Sequence, residues 1–404
     1  MKKIISILLC LVLLSVGGFN SSAATVSMEY AADDLDIPLE ENLQANAAIG
    51  TDLDINAKSA ILMEVNTRQV LYEENPDERL PEASITKVMT LILVMEAIED
   101  GRLKLEDKIT ASEYAASMGG SQIWLEPGEV MTVDELLRAT VIASANDATV
   151  ALAEAVAGSE EGFVAMMNAK AKELGMTNTN FVNSYGLDAE GHLTTAHDVA
   201  IMSCELIKYE LIKKYTTVWS DSLRGGESEL VNTNKLIRYY DGAFGLKTGT
   251  TSQAGSCLSA TAEREGLTLV AVVLGSPTSK ARFDGAKKLL DYGFANYTYK
   301  EVIADTSEFY NIPVKKGTVR QIVPTVLENY SVLLKKGQEG GITQTFELDG
   351  ELTAPIKAGD TVGYVHICLN EEEIGVIPIV ASNGSERLTY SHCLARLFKS
   401  LFTL

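Results

Sequence analysis

A hydroxyl and an amine stand three residues apart in Pro81-Glu82-Ala83-Ser84-Ile85-Thr86-Lys87, directly ahead of the apolar run Val88 to Ile98. That run has few breakers and stops at Glu99-Asp100-Gly101, where Gly101 can take the left-handed cap, so it predicts a helix opening at Ser84. Residues three apart on a helix share a face, which brings the Ser84 hydroxyl and the Lys87 amine together near the positive end of the helix dipole. Such a pair can serve as nucleophile and base if the amine is neutral, well below its free pKa of roughly 10.4. A lone S-x-x-K reads more simply as a capping serine beside a solvated lysine. Two further tripeptides argue against that reading: Ser144-Ala145-Asn146, between two helical patterns, and Lys247-Thr248-Gly249, at the end of an apolar stretch that reads as a strand. Each is weak alone, but the three in this order make a strong signal.

The surrounding patterns supply elements to hold them. Ala57 to Glu64 alternates like a strand, Asn66-Thr67 turns, and Gln69 to Tyr72 runs back. Thr132-Val133-Asp134-Glu135 is a capping box ahead of Leu136, Leu137 and Val141. An alanine-rich helix runs from Asn146 to Ala157 and stops at Gly158. Ser159 caps the next helix, which ends at Leu174-Gly175, and Ala196 to Tyr209 is helical again. Strands return at Ala243 to Thr248, Ser256 to Ala262 and Leu267 to Leu274, followed by a helix from Ser279 to Tyr297. The expected fold class is α+β: one antiparallel sheet built from both ends of the segment and packed with helices, plus a helical subdomain inserted between the sheet elements. After Lys300, short β-like runs alternate with glycine turns, which predicts a small β-rich domain.

At 404 residues there is room for two domains, and a formal charge of −21 argues against nucleic acid as a partner. Residues 1–24 carry a basic head, a short apolar core and small residues at Ser22-Ala23-Ala24, the pattern of a secretory signal peptide. Residues 25–54 hold eight acids and no Lys or Arg, which predicts a solvated leader. Residues 55–300 then form the catalytic domain, residues 301–382 the β-rich domain, and residues 386–404 a terminal helix. Leu394, Leu397, Phe398 and Leu401 share one face of that helix, flanked by Arg387, Arg396 and Lys399. A basic amphipathic end on so acidic a chain predicts a helix lying on a membrane surface. Cys204, Cys257 and Cys368 fall in apolar patterns and Cys393 in the tail, with no disulfide or C-x-x-C metal spacing, so free thiols are expected.

With these motifs in place, the chain resembles the low-molecular-mass penicillin-binding proteins that act as serine-type D-alanyl-D-alanine carboxypeptidases. The stretches Pro81 to Thr90, Ser144-Ala145-Asn146-Asp147-Ala148, Asp241 to Gly249 and Leu352-Thr353-Ala354-Pro355-Ile356 all look like that family, as does the tail. Two positions depart from it: Ser184 stands where members often carry Pro, and Thr250 where some carry His. The resemblance implies a penicillin-binding transpeptidase or β-lactamase-like fold and an exported, peripheral enzyme on the outer face of the bacterial cytoplasmic membrane. Its substrates would be peptidoglycan stem peptides, its inhibitors β-lactams, and it would need no cofactor or metal. Ser84 would attack the carbonyl between two terminal D-alanines, Lys87 would take its proton, and Ser144 would pass a proton to the leaving D-alanine. Asn146 would bond the substrate backbone, Lys247 and Thr248 would hold the terminal carboxylate, and Gly249 would let the peptide pair along the strand. The backbone N–H groups of Ser84 and Thr250 would form the oxyanion hole.

Three other readings have their own signatures. A class A β-lactamase shares the motif trio, but its E-x-x-L-N signature is missing: the only Leu-Asn pair, Leu369-Asn370, has His366 at the required place. A zinc peptidase would need clustered ligands, whereas His192 and His197 are five apart and His366 and His392 lie elsewhere. A non-catalytic sensor could keep all three motifs for binding alone, and endopeptidase action on cross-links is a near neighbour of carboxypeptidase action.

Overall fold

Residues 53–402 are described by the structure, a computed structural model. The expected signal peptide and almost all of the acidic leader lie outside them. Two strands open the fold, β1 (Ser59–Glu64) and β2 (Val70–Glu74). A 3₁₀ turn, Ala83–Thr86, then leads into helix α1 (Lys87–Glu99). The helical subdomain follows with α2 (Val133–Ile142), α3 (Asn146–Ala157), α4 (Glu160–Glu173) and α5 (Ala196–Leu206). Strands β3 (Ala243–Thr251), β4 (Gly255–Arg264) and β5 (Leu267–Ser276) complete one antiparallel sheet in the order β2-β1-β5-β4-β3. Helix α6 (Ser279–Asn296) covers one face of it. The fold is α+β, as expected.

The alternation of each strand distributes two cores. Ile61 and Met63 point into a large cluster with the residues of α1 to α5, while Ala60 and Leu62 join Phe283, Leu289, Leu290 and Phe294 of α6 on the other side. Every residue of β1 is buried because both faces of the sheet are covered. Helix α1 is apolar almost all round and passes through the centre of the subdomain, with Val88 to Val94 at 3 % exposure or less.

Local chemistry fixes the helix ends. The Thr132 hydroxyl accepts from Glu135 N at 3.2 Å and Thr132 N donates to Glu135 Oε2 at 2.8 Å, a closed capping box. Gly158 ends α3 in the left-handed region, and Ser159 caps α4 by accepting from Gly162 N at 3.1 Å.

Residues beyond α6 form the β-rich domain. Tyr297–Val302 pairs with Tyr330–Lys335, and a four-stranded sheet runs in the order 324–326, 372–381, 361–369, 342–348. Its core gathers Ile312, Ile322, Val365, Ile367, Ile377 and Ile379. The boundary drawn after Lys300 falls inside a strand: α6 stops at Asn296, where the chain leaves the helix to pair from Tyr297 onward. The terminal helix α7 (Tyr390–Phe402) starts later than Glu386, because Ser385 and Arg387 still bridge to Ile356 and Gly317. Two small ribbons, 108–110 with 130–132 and 220–223 with 228–231, carry too few alternating residues to be read from sequence. Cys204, Cys257, Cys368 and Cys393 are unpaired.

Candidate active site

Ser84 does not cap α1. It sits inside the 3₁₀ turn ahead of the helix, and the residue at the N-cap position of that turn is Glu82, which caps through no side-chain bond. Ala83 holds φ +52°, a left-handed conformation that side-chain-bearing residues seldom adopt, and this bends the chain so that the next residue faces the cleft. Two glycines clamp the bend. A Cβ on Gly249 would come 2.8 Å from Glu82 O and 2.9 Å from Ser84 N, and one on Gly186 would overlap Ala83 O. Gly249 was expected to make room for a peptide along the strand. The same missing side chain also makes room for the serine turn.

Lys87 opens α1 one turn further on and is fully buried. Its Nζ lies 3.0 Å from Ser84 Oγ, 2.6 Å from Asn146 Oδ1 and 2.7 Å from the Tyr185 carbonyl. Burial pushes its pKa well below the usual lysine range, and the nearby charge of Lys247 adds to that, against a smaller pull from Asp147. A neutral amine has two N–H groups. Donating them to Asn146 and Tyr185 leaves the lone pair facing the Ser84 hydroxyl.

Asn146, at the start of α3, was expected to bond substrate. Its carboxamide is also engaged inside the protein, where Oδ1 accepts from Lys87 and Nδ2 donates to Gly119 O at 2.7 Å. Ser144 precedes it at φ +61° and accepts a 2.7 Å hydrogen bond from Lys247 Nζ, which also reaches Thr248 O at 3.1 Å. Lys247 is lowered to about 7, mainly by burial and then by Arg282. The three motifs thus meet in one place through Ser84–Lys87–Asn146 and Ser144–Lys247. Thr248 Oγ1 donates to Thr233 Oγ1 at 2.7 Å, and β3 is the edge strand of the sheet.

Three contributors carry no motif. Arg282 of α6 donates to Gly249 O at 3.0 Å and to Thr250 Oγ1 at 2.8 Å, tying the end of β3 to the helix behind it. Asp147 accepts from Ile123 N and Leu125 N and so pins the 119–127 loop beside the cleft. Tyr185 acts through its carbonyl, which any residue could supply. Asp147, next to Asn146, was the only one with a sequence cue. His192 lies behind the serine turn, engaged with Thr86 and Val182.

Sheet, helical subdomain and buried Ser–Lys pair define the class: this is the fold of the penicillin-binding proteins. A family model described as D-alanyl-D-alanine carboxypeptidase matches residues 44–278, and one described as penicillin-binding protein 5, C-terminal domain matches residues 297–387. The D-alanyl-D-alanine carboxypeptidase DacF of Bacillus subtilis is 43% identical over 86% of this chain and 90% of its own. Penicillin-binding protein 5 from Haemophilus influenzae superimposes with a TM-score of 0.71 at 30% identity, covering 84% of this chain and all of that one. Penicillin-binding protein D2 from Listeria monocytogenes, solved in its ampicillin-bound form, matches at a TM-score of 0.53 and 33% identity over 60% of this chain and 100% of its own. The chain belongs to the D-alanyl-D-alanine carboxypeptidase family of serine peptidases, with the activity that the family name describes.

Proposed function

We propose that Ser84 is the nucleophile and Lys87 its general base in the removal of the terminal D-alanine from peptidoglycan stem pentapeptides. The observation that carries this reading is the buried Lys87 amine, 3.0 Å from Ser84 Oγ with its other two contacts on acceptors. Ser84 Oγ attacks the carbonyl between the two D-alanines as Lys87 takes its proton, giving an acyl-enzyme. Ser144, bridged to Lys247, returns a proton to the departing amine. Lys247 and Thr248 hold the terminal carboxylate, and the Ser84 and Thr250 N–H groups receive the developing oxyanion. Asn146 positions the base. Water then releases the shortened peptide.

A β-lactam presents the same carboxylate and a strained carbonyl, so it acylates Ser84. Labelled penicillin should mark the wild type and leave Ser84→Ala unmarked; label on that variant would give the nucleophile's role to another residue. D-alanine release from a pentapeptide, compared with cleavage of a dimeric muropeptide, separates carboxypeptidase from endopeptidase action.

The same reading places the enzyme outside the cytoplasm, exported by the signal at residues 1–24 and held peripherally by α7. Tyr390, Leu397 and Phe398 are exposed on that helix, and among the described residues no helix is long and apolar enough to cross a membrane. Removing residues 386–404 should abolish co-sedimentation with anionic lipid vesicles. Undiminished binding by the shortened chain would rule the helix out as the anchor.

A further inference from the structure

Directly behind the nucleophile lies a carboxyl group for which the mechanism has no use. Glu82 is 0 % exposed, and neither of its carboxyl oxygens has a hydrogen-bond partner. The nearest ring is that of His192, whose Nε2 stands 3.5 Å from Glu82 Oε1. An ion pair between them is ruled out by the other side of the imidazole. His192 Nδ1 accepts a hydrogen bond from Val182 N–H at 2.9 Å, so that nitrogen carries no proton and the ring is neutral. An ionised Glu82 would therefore be a buried charge without a countercharge, the nearby Thr86 hydroxyl being committed to Ala83 O, and the carboxyl is held as the neutral acid.

The protons around it form a chain that ends at the reaction centre. The neutral ring carries its one proton on Nε2, which faces Thr86 Oγ1 at 2.7 Å. The Thr86 hydroxyl in turn donates to Ala83 O at 2.9 Å. Ala83 C=O and Ser84 N–H belong to one rigid peptide plane. Fixing the carbonyl fixes the direction of the N–H, and this is the plane that Ala83 holds at a strained φ between Gly186 and Gly249.

We propose that Glu82 is a positioning residue: while protonated it leaves the His192 Nε2–H to Thr86, and Thr86 then holds the Ala83–Ser84 peptide so that the Ser84 N–H points at the oxyanion. The proposal rests on the assignment of that N–H to the oxyanion hole. Loss of the Glu82 proton leaves a carboxylate that draws the His192 Nε2–H away from Thr86, and the peptide plane loses its anchor. Burial pushes the Glu82 pKa up to about 8, opposed by the Thr86 hydroxyl and reinforced by Asp198. The other titratable groups around the turn are His192, lowered to about 4 by burial, Cys257 of β4, raised to about 11, Asp188 of the preceding loop, and Lys247 and Arg282 beyond Gly249. None of these supplies a proton to Glu82 in the contacts described.

The test follows the rate of penicillin acylation at saturating antibiotic across pH in the full-length protein. In that regime the ligand carboxylate pairs with Lys247 and moves the titration of that amine upward, out of the window. The wild-type rate should fall above about pH 8. Glu82→Ala should lose about tenfold at pH 7, as expected for a misaimed oxyanion donor. Glu82→Gln, which keeps the neutral shape, should restore that rate and abolish the alkaline fall. An alkaline fall in Glu82→Gln identical to the wild type's overturns the proposal, and so does a Glu82→Ala variant that folds and acylates normally. If Glu82→Ala does not fold, the comparison of wild type with Glu82→Gln carries the test alone. Thermal midpoints provide a second reading. The folded chain keeps a proton that the unfolded chain releases above about pH 4.5, so the wild type should lose stability relative to Glu82→Gln as pH rises to about 8. A constant difference over that range also overturns the proposal. The acyl-enzyme carbonyl stretch tests the supporting assignment separately: a band at the free-ester position in the wild type removes Ser84 N–H from the oxyanion hole and leaves the pH comparison to judge Glu82.

Discussion

Between Glu82 and Arg282 the molecule buries Lys87, Lys247, Asn146, Asp147, Glu82 and Arg282, all at 7 % exposure or less; from Val302 onward, Ser385 is the one buried polar residue among those described. The β-rich domain is built as a small sheet protein is expected to be, with strand 342–348 alternating between half-buried and exposed positions around an aliphatic core. The catalytic domain departs from that economy: it buries polar groups in several places, and those named here gather around the Ser84 turn and the end of β3. The contrast teaches where function resides. Buried polar groups are costly unless paired, and the region that carries them is the one with chemistry to perform.

The sharpest way to break the comparison is Lys87→Ala. Acylation at neutral pH should drop on the order of 10²–10⁴-fold, the usual worth of a positioned base, while circular dichroism stays unchanged; a variant that acylates normally would mean another base. Gly249→Ala comes next, because its methyl group has nowhere to go but into the Glu82–Ser84 backbone. It should reduce acylation at least tenfold and stability by about 1–3 kcal/mol, as overpacking does. Lys247 sets the third effect. Its amine is charged only below about 7, so the second-order acylation constant should fall above that pH by about tenfold per unit, and Lys247→Arg should move the fall upward, since guanidinium stays charged. A pH profile unmoved in that variant would take the carboxylate grip away from Lys247.

Smaller effects sharpen the contrast. Asp147→Ala strands the N–H groups of Ile123 and Leu125, so it should destabilise by about 1–3 kcal/mol in chemical denaturation and lower acylation only several-fold. Ile377→Ala in the β-rich domain should cost about 2–5 kcal/mol of that domain's stability and leave penicillin acylation untouched. A marked loss of acylation there would show that the two regions are coupled.

Much of the site was legible because its signals are local. Ser84 and Lys87 are three residues apart, the capping box at Thr132 closes within four residues, and Gly158 stops α3 where a left-handed residue was called for. What the sequence left out involved partners distant in the chain. No spacing marks the Lys87 and Gly119 contacts at the two ends of the Asn146 carboxamide, or the packing of Glu82 and Ser84 against Gly249. Arg282, 32 residues beyond Thr250, has no periodicity or spacing to mark it.

By itself the sequence determined the reaction class, the order of the elements and that the Ser84 hydroxyl and the Lys87 amine lie within hydrogen-bond reach, since reach along a helix and the period of a strand are properties of neighbouring residues. Only the tertiary structure decided which charges are neutralised. That the Lys87 amine is shifted well below the usual lysine range, and the protonation proposed for Glu82 and His192, depend on desolvation and on donors supplied from other segments, and burial is a property of the whole chain.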